Sequence, residues 1–296
     1  MDKPATQAQS HRVADCFDLS EKENTMLNKW KGSPTMKGEI RIGLRRVALV
    51  LATLILVTSA KAKPRHECTQ DDLEGAYGYV VTGPLVGVGP VASVGLATFD
   101  GEGGLRAKDT VSTNGTIVRR TGRGSYVVNA NCTGSGKIGD DFGDFMFDFM
   151  IIPDSGGREF SFIVTNRGTV QSGVALKTGD DECSDSSLKG TYRVLGAGTN
   201  IGVALIGAVG FRVLDGAGNL TQAEDTFSSN GTISHRIGRS ATYIVKADCT
   251  VTEVFEDGLT FDGVIVAGGR EAYFVRTNPG TVITALYKKQ SPHHDD

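Results

Sequence analysis

A chain of 296 residues with 39% hydrophobic and 22% charged side chains has the composition of a globular protein of about two domains. Its 39 glycines, nearly twice the usual share, follow no three-residue period, which excludes collagen and points to many turns and bulges. The formal charge of −3 excludes a basic nucleic-acid-binding composition.

Residues 1–35 form a polar extension that sits oddly upstream of a secretion signal, so the expected translation start is Met26 or Met36. From Met36, Lys37, Arg41, Arg45 and Arg46 make a basic region. An eleven-residue apolar core (Val47 to Val57) follows, and Ala60-Lys61-Ala62 offers a cleavage site. Residues 36–62 therefore read as a signal peptide. The core is shorter than the roughly 20 residues of a membrane-spanning helix, and the alternative is an uncleaved signal anchor. Cleavage implies a secreted or periplasmic protein with no stable membrane span. Removing residues 1–62 takes ten of the 31 Lys/Arg and six of the 34 Asp/Glu, leaving a net charge of −7. Such a surface repels phosphate backbones, and nucleic acid is not an expected partner.

Cys16 lies in the extension and is lost with the leader. Cys68, Cys132, Cys183 and Cys249 remain, an even set that in an exported chain reads as disulfides. No lipobox precedes Cys68.

The mature chain aligns with itself. CTQDDLEGAYGYV from Cys68 lies over CSDSSLKGTYRVL from Cys183. FDGEGGL (99–105) lies over LDGAGNL (214–220), and DTVSTNGTI (109–117) over DTFSSNGTI (225–233). GSYVVNANCT lies over ATYIVKADCT, and GGREFSFIVTNRGTV (156–170) over GGREAYFVRTNPGTV (268–282). Two repeats, 68–178 and 183–289, are joined by a short polar link, and residues 290–296 read as a disordered tail. Four cysteines allow three pairings. Duplication favours Cys68–Cys132 and Cys183–Cys249, because the ancestral unit had to be complete alone.

Each repeat reads as strands. In the first, residues 76–82 and 91–99 lead to the Asp100-Gly101 turn, and Asn114-Gly115 marks the next hairpin. Residues 125–130 alternate. Residues 144–152 place Phe145, Phe147, Phe149 and Ile151 on one face, with Asp144, Met146, Asp148 and Met150 on the other. Residues 158–165 and 169–176 complete about eight strands, and no segment has helical periodicity. The expected fold is all-β, with one antiparallel barrel of about eight strands per repeat, since closure removes exposed edges. A β-sandwich in each repeat, or one barrel shared by both, are the alternatives.

The pattern C-x4-L-x-G-x-Y, (F/L)-D-G-x-G-x-L, Y-x-V-x-A-x-C-T covers nearly all of both repeats. It resembles uncharacterised secreted bacterial β proteins with allene-oxide-cyclase-like, calycin-like barrels. Leu73-Glu-Gly75-Ala-Tyr77 and Leu188-Lys-Gly190-Thr-Tyr192 are similar to the G-x-W start of lipocalin-type barrels, with Tyr replacing Trp. The resemblance implies a barrel plugged at one end by Tyr77 or Tyr192. It supplies no catalytic positions.

Chemistry is sparse. His235 has Arg119 as its counterpart, no nucleophile elbow or phosphate loop occurs, and no cofactor or metal site is expected; His293 and His294 belong to a polar tail. The Asp-Gly turns lack the oxygen spacing of a calcium loop. The ligand-binding candidates are Arg158, Glu159 and Asn166 with their counterparts Arg270, Glu271 and Asn278, which would orient a headgroup if they point into a barrel. The apolar, Gly-rich segments 83–91 and 200–209 would form a lid or a buried strand. Three functions follow: binding of a small apolar or amphipathic ligand, a non-catalytic structural module with filled barrels, and an isomerase of the allene-oxide-cyclase kind.

Overall fold

A computed structural model describes residues 67–152 and 155–290. The extension 1–35, the leader 36–62 and most of the tail lie outside them. The first repeat contributes β1 (Glu74–Leu85), β2 (Gly89–Asp100), β3 (Gly104–Thr113), β4 (Thr116–Val128), β5 (Thr133–Asp140), β6 (Gly143–Ile151), β7 (Glu159–Val164) and β8 (Ser172–Lys177). The second contributes β9 (Lys189–Asn200), β10 (Ala204–Asp215), β11 (Asn219–Ser229), β12 (Thr232–Val245), β13 (Thr250–Phe255), β14 (Thr260–Val266), β15 (Glu271–Arg276) and β16 (Thr281–Lys289). Each set of eight is a closed antiparallel barrel in which every strand pairs with its sequence neighbours. Closure is made by β1 on β8 and by β9 on β16. The chain is thus all-β with two tandem barrels, one per repeat.

Alternation puts the apolar residues inside. On β6, Phe147, Phe149 and Ile151 are buried, while Met146 and Met150 are exposed. One end of each barrel is sealed. Leu73 and Leu188 are fully buried beside Tyr77 and Tyr192. The Tyr77 hydroxyl donates to the Gly157 carbonyl (2.6 Å) and that of Tyr192 to the Gly269 carbonyl (2.7 Å). The Tyr77 ring meets Phe99 edge-on at 5.5 Å, and Phe99 meets Tyr126 at 4.9 Å. The disulfides Cys68–Cys132 and Cys183–Cys249 tie the lead-in of each barrel to the turn between its fourth and fifth strands.

The duplicated Asp-Gly turns are closed by their own aspartates. Asp100 Oδ1 accepts from the Glu102 and Gly104 amides, and Asp215 Oδ1 from those of Ala217 and Asn219. The Gly-rich segments are neither buried strands nor separate lids. They form the tip ends of the β1–β2 and β9–β10 hairpins and run on into the barrel wall, with Val86, Val88, Val203 and Leu205 exposed at the tips. The first keeps its pairing through two prolines placed directly opposite each other, Pro84 and Pro90, whose carbonyls accept from Val170 and Asn114.

The barrels pack against each other. Ala92, Val94 and Leu96 on the outside of β2 meet Val264, Val266, Tyr273 and Val275 on the outside of β14 and β15. Gly78 makes the approach possible: a Cβ there would lie 2.4 Å from Val266. The polar rim matches. Thr110 Oγ1 and Arg119 Nε each reach Asp262 Oδ2 at 2.8 Å, and Lys108 pairs with Asp248. Ser112 donates to the Thr281 carbonyl (2.5 Å) and the Gly280 amide to the Gly115 carbonyl (2.8 Å).

Candidate functional site

The unsealed end of the first barrel is built by inward positions of seven strands. Tyr79 and Val81 on β1, Val91 and Ser93 on β2, and Asp109 and Val111 on β3 form one side. Arg120 on β4, Asp140 at the end of β5 and Phe145 on β6 form the other. Gly95 leaves room between them, since a Cβ there would lie 2.6 Å from the Asp109 Cβ and 2.7 Å from the Tyr79 ring. The cavity, open at this end, is about 180 Å³. Leu85, Phe142, Asn166 and Thr169 rim it, and Val164 and Gln171 complete the wall.

Its polar groups join the two sides. Arg120 grips Asp109 with a bidentate fork, Nε to Oδ1 at 3.0 Å and Nη2 to Oδ2 at 2.5 Å. Ser93 Oγ adds a third bond to Asp109 at 2.7 Å. The Asp140 carboxylate stands 3.8 Å from Arg120 Nη1. Burial opposes the Arg120 charge, and the Asp109 carboxylate overrides it, so the guanidinium pKa is raised. Burial, reinforced by Asp109, also pushes the Tyr79 phenol well above its ordinary value. The result is an amphipathic well in which Val81, Val91, Val111 and Phe145 face a carboxylate-rich polar group.

The second barrel keeps the same Asp–Arg pair and builds a larger buried network around it. Asp225 takes Arg236 Nε at 2.6 Å and Arg212 Nη2 at 3.0 Å, with Arg239 at 3.6 Å. Arg212 and Arg239 both lie over the Phe255 ring. Glu253 is fully buried and accepts from the Tyr287 hydroxyl at 2.8 Å. Strand register identifies what changed. Arg212 pairs with Ala223 as Ala97 does with Ala107, and Arg239 pairs with Ala223 as Gly122 does with Ala107. Glu253 pairs with Tyr243 as Gly136 does with Tyr126, and Tyr287 pairs with Val194 as Ala175 does with Tyr79. Four small residues of the first barrel are thus Arg, Arg, Glu and Tyr in the second.

The expected ligand residues are not brought together. Glu159 and Glu271 begin β7 and β15, at the sealed end, and the next residues inward are Phe160 and Ala272. Arg158 and Arg270 are exposed, and Glu271 pairs with Lys288 at 2.7 Å. Asn166 and Asn278 sit past the opposite ends of those strands and clamp turns. Asn166 accepts from the Met146 amide and donates to the Asp144 carbonyl; Asn278 accepts from Thr260 and donates to Gly258. Of the six, Asn166 alone lines the cavity. Asp109, Arg120, Asp140 and Glu253 were not singled out by sequence reasoning. A signal was present: Asp109 and Asp225 open the repeated D-T-x-S-x-N-G-T-I, and Glu253 shares a parity with Val251 and Phe255. Among the described residues no cluster of three or more His, Cys, Asp or Glu is arranged to hold a metal ion. No family model and no curated protein matches the chain.

Proposed function

We propose that the protein is an exported tandem barrel whose first barrel binds a small amphipathic molecule, with the second as a filled scaffold. The observation that carries this reading is the open well of about 180 Å³ in the first barrel, where Val81, Val91, Val111 and Phe145 stand beside the buried Asp109–Arg120 pair. The second barrel holds an ionic and aromatic network in its interior. At about 30 Å³ per water the well takes roughly six waters, or one compact organic molecule below drug size. Asp109, Asp140 and Asp144 around it outnumber Arg120, so a headgroup that donates hydrogen bonds, neutral or cationic, fits better than an anion. Val81, Val91, Val111 and Phe145 would hold the apolar part. The sealed end and the L-x-G-x-Y motif accord with the calycin-like resemblance. Two intramolecular disulfides accord with a secreted or periplasmic location.

The test is native mass spectrometry of the exported protein before and after organic extraction. The expected result is an extra mass that leaves with solvent and is absent from a Val111→Phe variant, in which the well is narrowed. A bare-chain mass before extraction, together with unchanged melting in a panel of small alcohols and amines, would overturn the reading.

A further inference from the structure

The contact between the two barrels is heterologous: it joins one face of the first barrel to a different face of the second. Each barrel is a copy of the other, so each also owns the face that the other uses. One face is centred on Val94, Val80 and Val174, which are direct cross-strand partners on β2, β1 and β8. The other includes Val264, Val275 and Val282 on β14, β15 and β16, only 0%, 0% and 4% exposed.

The unused copies of both faces are open and apolar. The row matching Val94, Val80 and Val174 is Val209, Leu195 and Leu286, again direct partners, and 59%, 60% and 36% exposed. The residues matching Val264, Val275 and Val282 are Met150, Ile163 and Val170, exposed by 58%, 54% and 62%. Lone exposed apolar residues are ordinary, but a row of direct partners on one barrel and a diagonal cluster on neighbouring strands of the other, both matching a buried face, are not. The polar rim is duplicated as well. Thr110 and Arg119, which bind Asp262, correspond to the cross-strand pair Thr226 and His235, and Asp262 corresponds to the exposed Asp148. The Gly115–Gly280 backbone contact corresponds to Gly231 and Gly168, both facing open space.

We propose that a second copy of this chain docks head to tail, its first-barrel face around Ile163 seated on the second-barrel face around Leu195. The contact repeats the intramolecular one. Because it is heterologous, it propagates into rings or short filaments rather than stopping at a symmetric dimer. Arg193 and Lys288 stand where the first barrel has Gly78 and Leu176, and a side chain at the first of these blocks the closest approach. The intermolecular contact is therefore looser than the internal one, and association is reversible and concentration-dependent.

Sedimentation velocity on the exported protein tests this with two end variants, Leu195→Asp and Ile163→Asp, both at exposed positions and both checked for unchanged melting. Wild type is expected to gain mass with concentration, and each variant to stay monomeric. An equimolar mixture of the two is expected to form dimers that grow no further, since each keeps one intact face. Arg193→Gly is expected to lower the dissociation constant about tenfold. A wild type and an Arg193→Gly variant that both remain monomeric at every concentration would overturn the proposal. So would one end variant that still self-associates alone, or a mixture that stays monomeric.

Discussion

Glu253 occupies a place that a glycine fills in the first barrel, and the exchange makes the second barrel sensitive to pH. Burial raises its carboxyl to about 7 from an ordinary value near 4.5, against the opposing pull of Tyr287, Arg212 and Arg239. The folded state therefore holds a proton that the unfolded chain releases between those values. This stabilisation is full below about pH 4.5 and is lost as pH rises through 7. At about 1.4 kcal/mol per pH unit the span corresponds to about 3 kcal/mol. Glu253→Gln keeps an oxygen to accept from Tyr287 and cannot ionise. Its melting temperature is expected to match wild type near pH 5 and to exceed it by several degrees at pH 8. Scanning calorimetry at both pH values checks this, and equal differences at the two would show that Glu253 does not titrate in that window. The Asp–Arg pairs are a different use of charge: Asp109 accepts from three donors and Asp225 faces three arginines.

At the scale of elements, the hairpin is the unit, and the disulfide is what fastens the first hairpin to the middle of its barrel. Opening Cys68–Cys132 by substituting both cysteines with serine removes a closure of 64 residues. The chain-entropy model puts the loss at about 4 kcal/mol. Urea denaturation is expected to show that loss in the double variant, and a shift below 1 kcal/mol would mean that the barrel's own closure dominates. Much of this level was legible in the sequence. Asp-Gly and Asn-Gly mark the turns because positive φ is required there, and strict alternation on β6 gives its buried face. The repeat made closure and pairing inferable from one unit. Two things were not legible. Gly83-Pro84 and Pro90 read as chain breakers, yet the two prolines face each other near the hairpin tip, where their missing amides are not needed. The cavity was hidden because its residues belong to seven strands and no local run contains them. Arg158, Glu159 and Asn166 drew notice as repeated polar residues, but the short β7 separates them along the barrel. Repetition marks what the fold needs, and the departures Ala97 to Arg212 and Gly136 to Glu253 mark where the two interiors differ.

At the scale of the molecule, duplication has produced two barrels fused through a face that each ancestral unit already carried. The link of Thr178 to Glu182 is not a free hinge. The Thr178 amide donates to Ala76, and its carbonyl accepts from Gly268 across the boundary. With Val264, Val266 and Val275 fully buried there, neither barrel can unfold without exposing a core face of the other. A single cooperative transition is therefore expected for the whole mature chain. Gly78 is the place to break that coupling. It lies outside both barrel interiors, and a Cβ would meet Val266 at 2.4 Å and Val264 at 2.8 Å, both rigid β-branched side chains on a sheet. Gly78→Leu should push the barrels apart without altering either interior. Calorimetry is expected to resolve two transitions in this variant, with the second barrel retaining the pH dependence set by Glu253. A single transition at a lower temperature would instead mean that the barrels fold as one unit even when the face is disrupted. Ligand retention then distinguishes the roles of the parts. The well lies inside the first barrel, facing away from the shared surface, so Gly78→Leu should leave binding intact while Val111→Phe removes it.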